Sequence, residues 1–242
     1  MFSLSEKERK IRKLLEAAEL DIESDNFKQA GEKIHQAIRI AKNIGNEELL
    51  NQIMEFVQGF TYSAETQSIQ LYPIETDGLI LDIGGGGEGI IGELNGKQVI
   101  AIDTSERELL ETQNKALKVV MDATDLKFLS ESFDVCTAFF SLMYIPNHKH
   151  SKVFKEAYRV LKNYGKFLVW DARIPEKHGD YKAFMVSLKV MLPHEEIEVG
   201  YGVKWQSQDI EYFKELALKT NFKIINEWNK GEIFYLEMSK NV

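Results

Sequence analysis

The sequence contains a single cysteine, Cys136, among 242 residues. One cysteine cannot form a disulfide within the chain, and Cys136 stands in the apolar segment FDVCTAFF. We therefore predict a small buried residue rather than a reactive thiol. Basic residues are outnumbered by acidic ones, with 30 lysines and arginines against 38 aspartates and glutamates and a formal net charge of -8. Since phosphate contacts need a basic surface, this deficit argues against a nucleic-acid partner and favours a small-molecule substrate.

Long apolar runs are missing as well. No stretch approaches the length needed to span a bilayer, and the segment MFSLSEKERK lacks the apolar core of a signal peptide. We therefore expect a cytoplasmic protein without membrane insertion. The hydrophobic fraction of 44% is nevertheless large enough for a sizeable core.

The most informative segment is the run LILDIGGGGEGIIGEL at residues 79–94. It reads as a buried strand that ends at Asp82 and then breaks into glycines before a helix. Glycine backbone can approach a ligand closely and adopt positive φ, and a helix N-terminus offers unpaired N–H groups. Asp82 would repel a pyrophosphate, so the pattern favours a cationic or hydroxylated ligand over a dinucleotide.

Two further acids follow predicted strands. Asp103 ends the segment QVIAID, about 20 residues along, where an acid can accept hydrogen bonds from ribose hydroxyls. Asp122 follows the strand in LKVVMD, where its carboxylate and the N–H of Ala123 could hold the edge of an adenine. Three successive strands that each lead to an acid indicate a nucleoside site more strongly than the glycines alone.

With these segments the chain resembles the class I S-adenosylmethionine-dependent methyltransferases. The resemblance rests on LDIGGGGEG, VIAIDTS, VMDATDLKFLSESFDVCTAFFSLMYI and FKEAYRVLKNYGKFLVWD, in that order. It implies that S-adenosylmethionine is the cofactor and that methyl transfer to a small acceptor is the activity. The cofactor-binding residues that it implies are Asp82, Gly84, Gly85, Gly86, Asp103, Thr104, Asp122, Ala123 and Phe140. One departure is Glu88, which stands where the family commonly has glycine.

The expected fold is α/β, a doubly wound, mainly parallel, seven-stranded Rossmann-like sheet with an N-terminal helical extension. Apolar residues at helical spacing predict helices over residues 1–60, and 61–78 reads as a linker to a methyltransferase domain at 79–242. Strands are predicted near 79–83, 98–102, 117–121, 134–140, 165–170, 222–227 and 233–238, with helices near 105–115, 147–162 and 208–220. The last two strands are separated by a short turn, so they should pair antiparallel.

An inserted β-hairpin is predicted near residues 182–205, although the spacing of Phe184, Leu188 and Leu192 also suits a helix. The hairpin would leave the carboxyl end of the fifth strand, on the ligand-binding side of an open α/β sheet. Two interpretations stay open: a substrate lid and a simple extension of the sheet.

Candidates on the acceptor side follow the fourth and fifth strands or lie in the insertion: Tyr144, His148, Asp171 and Tyr201. A methyl sulfonium needs mainly alignment, so no catalytic base is assigned. His148 and His150 lack a nearby carboxylate or thiol to complete a metal site, so they read as solvated loop residues and no metal is expected.

Two other functions are compatible with parts of the pattern. Gly84, Gly86 and Gly89 fit a dinucleotide loop, and Tyr158 with Lys162 forms a Tyr-x-x-x-Lys pair, as in an NAD(P)-dependent oxidoreductase. That pair, however, lies in an amphipathic helix. A non-catalytic cofactor-binding or protein-interaction module on the same fold is the second alternative, and Glu88 is its support.

Overall fold

A computed structural model describes residues 5–24, 26–177 and 179–241. These residues divide into two compact units. The first contains the described residues up to Ser63 with 179–185 and Gly202–Trp205, and the second contains Ala64–Lys177, Val186–Tyr201 and the described residues from Gln206 onward.

The first unit is built on three helices, α1 (Glu6–Glu23), α2 (Phe27–Asn43) and α3 (Glu47–Gln58), followed by the short strand β1 (Thr61–Ser63). Ser5 and Glu8 form a reciprocal capping box at the start of α1, and Asn46 caps α3 by accepting from the N–H of Leu49. The predicted apolar stripes form one core, which includes Ile11, Ala18, Ile22, Ala30, Ile34, Ala37, Ala41, Ile53 and Val57. The N-terminal helices are therefore present, as predicted.

The second unit follows with alternating strands and helices. Two of its strands, β8 (Ala183–Met191) and β9 (Glu196–Lys204), are divided by the boundary between the units. The others are β2 (Gln67–Gln70), β3 (Ile80–Ile83), β4 (Val99–Asp103), β5 (Leu117–Val120), β6 (Phe133–Phe139), β7 (Leu161–Ala172), β10 (Phe222–Lys230) and β11 (Ile233–Lys240). Its helices are α4 (Ile90–Asn95), α5 (Glu106–Glu111), α6 (Asn147–Val160) and α7 (Ile210–Lys219).

Seven of these strands form one sheet in the order β10-β11-β7-β6-β3-β4-β5. The five strands from β7 to β5 pair in parallel, whereas β11 pairs antiparallel with both β10 and β7. This confirms the predicted mainly parallel sheet with a terminal hairpin. Parallel strands align their carboxyl ends, so the loops after β3, β4 and β5 share one edge of the sheet.

Aromatic packing fixes α6 and α7 on the sheet. The Phe154 ring of α6 lies 5.3 Å from Phe167 of β7 and 6.0 Å from Phe213 of α7, measured between centroids. All three side chains are fully buried.

Cys136 is also fully buried, and burial raises the pKa of its thiol, which agrees with the unreactive role predicted for it.

Several elements differ from their predicted bounds, and β7 begins at Leu161 rather than near residue 165. The helix predicted over 105–115 ends at Glu111, because the Asn114 side chain donates to the Gly89 carbonyl and accepts from the Ala116 N–H. The segment predicted as a linker also contains strands. Within the second unit, β2 pairs in parallel with residues 188–191 of β8, and within the first, β1 pairs with Ala183–Met185.

The strands β8 and β9 pair with each other and are joined by a tight turn, in which the Leu192 N–H donates to the Glu195 carbonyl. No helix in the described part of the chain is long and apolar enough to cross a membrane.

Candidate functional site

The glycine turn after β3 is held against the end of β4. The N–H groups of Gly84 and Gly85 both donate to the Ile102 carbonyl, at 2.8 and 3.0 Å. Gly84 has a φ of 74°, and a Cβ there would collide with the Cβ of Ser141. Only glycine fits that backbone without strain. The Ser141 hydroxyl in turn donates to the Ile83 carbonyl over 2.6 Å, which ties the loop after β6 to the end of β3.

The next glycine brings the turn beside the acid of β4. A Cβ on Gly86 would lie 3.0 Å from Oδ2 of Asp103 and 2.7 Å from the Cβ of Glu108. Absence of a side chain therefore leaves the backbone of the turn open next to a carboxylate. Such a cradle fits a ligand that presents hydroxyl groups, as the nucleoside part of S-adenosylmethionine does.

Asp103 is ready to accept further hydrogen bonds. Its Oδ1 accepts from the Ser105 N–H over 2.8 Å, and Oδ2 receives no hydrogen bond from the residues that the structure describes. The side chain is partly buried, whereas the neighbouring Thr104 is exposed. One oxygen thus fixes the orientation of the carboxylate and the other remains available to a ligand.

The third acid lies just beyond β5. Asp122 is exposed, and its Oδ1 accepts from the Thr124 N–H over 2.8 Å. That hydrogen bond, more than any other factor, lowers the pKa of Asp122 below its ordinary value. Ala123 is buried. The structure therefore brings Asp82, Asp103 and Asp122 to the ends of three neighbouring strands, as the sequence predicts.

Asp82 differs from the other two acids because it is almost fully buried, with 2% of its surface exposed. Burial raises the pKa of Asp82 to about 7, against the lowering effect of a hydrogen bond from Thr137 and with a further rise from the charge of Asp103. Near neutral pH this carboxyl therefore exists in both protonation states. A cation bound beside it would favour the ionised state.

Phe140 stands directly after β6 with a φ of 48°, a conformation uncommon for a residue with a side chain. Its N–H donates to the Trp170 carbonyl over 2.8 Å. Its ring stacks on that of Tyr201 from β9, with centroids 5.3 Å apart and planes 6° apart. Left-handed backbone at a non-glycine residue concentrates at functional sites, because surrounding structure must hold it there.

The remaining candidates on the acceptor side occupy different environments. Tyr144 and His148 are exposed, after β6 and in the first turn of α6. Asp171 is fully buried, and its carboxylate accepts from the N–H groups of Met143 and Ala172 and from Nε2 of Gln208. Burial raises the pKa of Asp171 to about 7, although these hydrogen bonds lower it. Through the hydrogen bond from Met143, Asp171 holds the loop after β6 in place.

The prediction that His150 is a solvated loop residue was wrong. His150 lies on the inner face of α6 and is fully buried, with Nε2 2.9 Å from the Leu142 carbonyl and Nδ1 3.1 Å from the Tyr212 hydroxyl. Burial lowers its pKa. Among the described residues, no group of three or more histidine, cysteine or acidic side chains could hold a metal ion.

Sequence reasoning missed two polar side chains that support the site. Thr137 and Gln208 are buried and donate to Asp82 and Asp171, respectively. A threonine inside the apolar segment FDVCTAFF is a local signal for Thr137, because a buried hydroxyl needs a partner. Gln208 carried no comparable signal.

The Tyr-x-x-x-Lys pair does not form a catalytic pair. The Tyr158 hydroxyl donates to the Asn241 carbonyl, and the Lys162 ammonium pairs with Asp134 over 2.8 Å. Lys162 is the second residue of β7, at the end of the sheet opposite the glycine turn. The geometry thus gives no support to the oxidoreductase alternative.

Comparisons with known proteins find methyltransferases. The sequence profile of a family described as "Methyltransferase domain" matches residues 81–169, which contain the glycine turn, Asp103, Asp122 and Phe140. A sterol 4-C-methyltransferase of Caenorhabditis elegans is 35% identical over 94 residues. The matched stretch covers 39% of this chain and 28% of that relative, so this chain spans well under two thirds of its length.

Solved structures show the same fold. A methyltransferase of Methanosarcina mazei, described as S-adenosylmethionine-dependent, aligns over 72% of this chain and 100% of its own, with 20% identity and a TM-score of 0.52. Phosphoethanolamine N-methyltransferase 2 of Haemonchus contortus, in complex with S-adenosyl-L-methionine, aligns over 70% of this chain and 50% of its own, with 18% identity and a TM-score of 0.50. The profile match over residues 81–169 and the shared fold therefore make this chain similar to the S-adenosylmethionine-dependent methyltransferases.

Proposed function

We propose that this protein binds S-adenosylmethionine and transfers its methyl group to a small-molecule acceptor. The observation that carries the proposal is the proximity of Gly86 to Asp103. The open glycine backbone lies beside Oδ2 of Asp103, which accepts no hydrogen bond from the described residues. Asp82 near the end of β3 and Asp122 just beyond β5 lie on the two strands that neighbour β4.

The cofactor, when bound, supplies a methyl group on a sulfonium, an electrophile that needs no further activation. Gly84, Gly85 and Gly86 would lie against its methionine and ribose parts, and Asp103 would accept from the ribose hydroxyls. Asp82 would stay near the amino group. The chain's contribution is to hold two reactants in line, and positioning of this kind can supply up to roughly 7–11 kcal/mol in favourable intramolecular cases.

The adenine would be held by residues at the end of β5. The exposed Asp122 offers an acceptor, the N–H of Ala123 offers a donor, and Thr104 would flank the ring. The backbone of Phe140 would bound the methionine side. These roles come from the family resemblance, and the strand-end positions of the residues support them.

A small molecule is the acceptor class that the charge balance supports. The formal net charge is -8, and phosphate-rich partners require a basic surface. We also propose that the protein acts on a small metabolite in the cytoplasm.

Calorimetric titration with S-adenosylmethionine tests the proposal. Asp103→Ala should weaken binding by about 1–3 kcal/mol, or roughly 5- to 150-fold, because ribose hydroxyls would lose a charged acceptor. Asp77→Ala removes an exposed acid at the opposite end of β3 and should leave the affinity unchanged. Failure of the wild-type protein to bind the cofactor, or tighter binding of NADH, would refute the proposed function.

A further inference from the structure

The loop after β6, residues 140–146, is anchored along its length by groups from other elements. The Phe140 N–H donates to the Trp170 carbonyl of β7, and the Ser141 hydroxyl donates to the Ile83 carbonyl of β3. These two hydrogen bonds fix the first part of the loop to the central strands of the sheet.

The second part of the loop is held from β7 and from the segment before α7. The Met143 N–H donates to the Asp171 carboxylate, and the Ile145 carbonyl accepts from Nε2 of Gln206. Tyr144 lies between these two anchored residues and is exposed, with 52% of its surface accessible. Because the backbone is held on both sides, the loop presents the Tyr144 side chain from a defined position.

The remaining anchor acts on Leu142 and consists of two rings. Nε2 of His150 on α6 lies 2.9 Å from the Leu142 carbonyl, and Nδ1 lies 3.1 Å from the hydroxyl of Tyr212 on α7. The same hydroxyl lies 3.1 Å from the Asn147 carbonyl. His150 is fully buried and Tyr212 is partly buried, so solvent does not reach the imidazole.

These three contacts need three hydrogens, and the two side chains in their uncharged forms supply two. Both carbonyls only accept, a neutral imidazole carries one N–H, and the phenol carries one O–H. The contact with Leu142 is a hydrogen bond only if the hydrogen is on Nε2. Nδ1 then accepts the hydrogen of Tyr212. The Asn147 carbonyl loses little, because it accepts the N–H of residue 151 within α6.

We infer that His150 is a positioning residue for the loop after β6, that its neutral ring carries the hydrogen on Nε2, and that Tyr212 fixes this tautomer. The inference rests on the proposed function, in which this loop bounds the methionine side of the cofactor and carries a candidate contact to the acceptor. His150 acts through the Leu142 carbonyl and takes no part in the transfer of the methyl group.

The surroundings of the imidazole keep it neutral near pH 7. Burial lowers its pKa, the carbonyls of Leu142 and Ile145 act in the opposite direction, and the charge of His148 on the same helix lowers it further. Tyr212, the titratable group that faces the ring from α7, has a pKa that burial raises, so it stays uncharged. The neighbouring Phe213 contributes an apolar ring, with centroids 5.3 Å apart.

Nitrogen-15 NMR of the full-length protein tests the tautomer without any ligand. The His150 ring should carry its hydrogen on Nε2 and show Nδ1 as an unprotonated nitrogen that accepts a hydrogen bond. Tyr212→Phe removes the donor and should move the Nδ1 resonance. Tyr158→Phe, the matched control, removes a hydroxyl that donates to the Asn241 carbonyl and should leave that resonance in place. A hydrogen on Nδ1 in the wild-type protein, or an Nδ1 resonance that Tyr212→Phe does not move, would overturn the inference.

Calorimetry with S-adenosylhomocysteine and hydrogen exchange of the backbone test the positioning role. His150→Leu removes the donor to Leu142 and should weaken binding by about fivefold, the equivalent of one hydrogen bond. Exchange should become faster in residues 140–147 and stay unchanged in α1. His150→Gln can place an amide N–H near the position of Nε2 and should restore most of the affinity. Tyr212→Phe keeps its ring and should show the same changes to a smaller extent, and it carries the test if His150→Leu does not fold.

Unchanged affinity and unchanged loop exchange in folded His150→Leu would contradict the positioning role. Equal losses in His150→Leu and His150→Gln would contradict it as well, because they would assign the effect to the volume of the ring and not to its hydrogen bond. If the wild-type protein does not bind S-adenosylhomocysteine, the proposed function fails. That failure is distinguishable, because the NMR and exchange measurements need no cofactor.

Discussion

Thr137 of β6 faces Asp82 of β3 as its register partner, and its hydroxyl donates to Oδ1 of Asp82 over 2.8 Å. Both side chains are buried, with 0% and 2% of their surfaces exposed. The pair joins two central strands directly beneath the glycine turn. The hydrogen bond from the Thr137 hydroxyl also lowers the pKa of Asp82, against the larger rise that burial causes.

Replacing Thr137 by valine should destabilise the fold. The substitution keeps the shape of the side chain but strands the Asp82 carboxyl, and a buried unsatisfied group costs about 1–3 kcal/mol. Chemical denaturation at pH 7.5 should show this loss of unfolding free energy, and Thr137→Ser, which keeps the hydroxyl, should lose less. Equal stability of the valine variant and wild type would show that the hydrogen bond is dispensable.

Cofactor binding should become stronger as the pH rises towards 7. Asp82 has a raised pKa of about 7, and a cationic amino group beside it favours the ionised form, so binding at lower pH requires release of a proton. We expect the affinity to rise by up to about tenfold per unit between pH 5.5 and 7 and then to level off.

Calorimetry in buffers of different ionisation enthalpy measures the proton release directly. At pH 6.5 the wild-type protein should release a fraction of one proton on binding S-adenosylmethionine, and Asp82→Asn should release less. Identical heats in all buffers, after correction for dilution, would argue against the linkage to Asp82.

Asp171 should make the folded protein less stable as the pH rises. Its folded pKa is about 7, above the ordinary value of 3.8, so the folded state holds the proton more tightly than the unfolded state. The resulting stabilisation is complete below about pH 4 and is lost as the pH rises through 7, with a total on the order of a few kcal/mol.

Thermal and chemical unfolding of wild type and Asp171→Asn at pH 5 and pH 8 checks this linkage. The variant should be less stable at pH 5, because the amide cannot accept every hydrogen bond that the carboxyl accepts, and its stability should depend less on pH. Asp77→Asn, at an exposed position, should follow the wild-type dependence. A steeper dependence in Asp171→Asn would contradict the assignment.

Gly84 and Gly45 provide a matched pair for testing the glycine turn. Both have positive φ, 74° and 63°, but a Cβ at Gly84 would collide with Ser141 whereas a Cβ at Gly45 meets no atom within 4 Å. Gly45→Ala, just after α2, should therefore cost only the backbone strain of about 1–2 kcal/mol. Gly84→Ala should lose more unfolding free energy and should also lose cofactor affinity, as measured by denaturation and calorimetry.

The sequence by itself predicted the sheet and the positions of the acids near its strand ends. Apolar runs that end in Asp82 and Asp103, with glycines after the first, are local signals, because each strand and its turn are encoded by adjacent residues. The short turn between β10 and β11 likewise required antiparallel pairing, and the structure confirms it. Such features need no knowledge of distant contacts.

Only the tertiary structure decided which polar side chains are buried and what they contact. His150 reads as a loop residue in sequence, yet the packing of α6 on the sheet buries it between Leu142 and Tyr212. Tyr201 and Phe140 are far apart along the chain and stack because β9 returns to the end of β6. Hydrogen bonds and ring contacts between distant segments depend on strand register and helix orientation, which the core as a whole determines and no local pattern encodes.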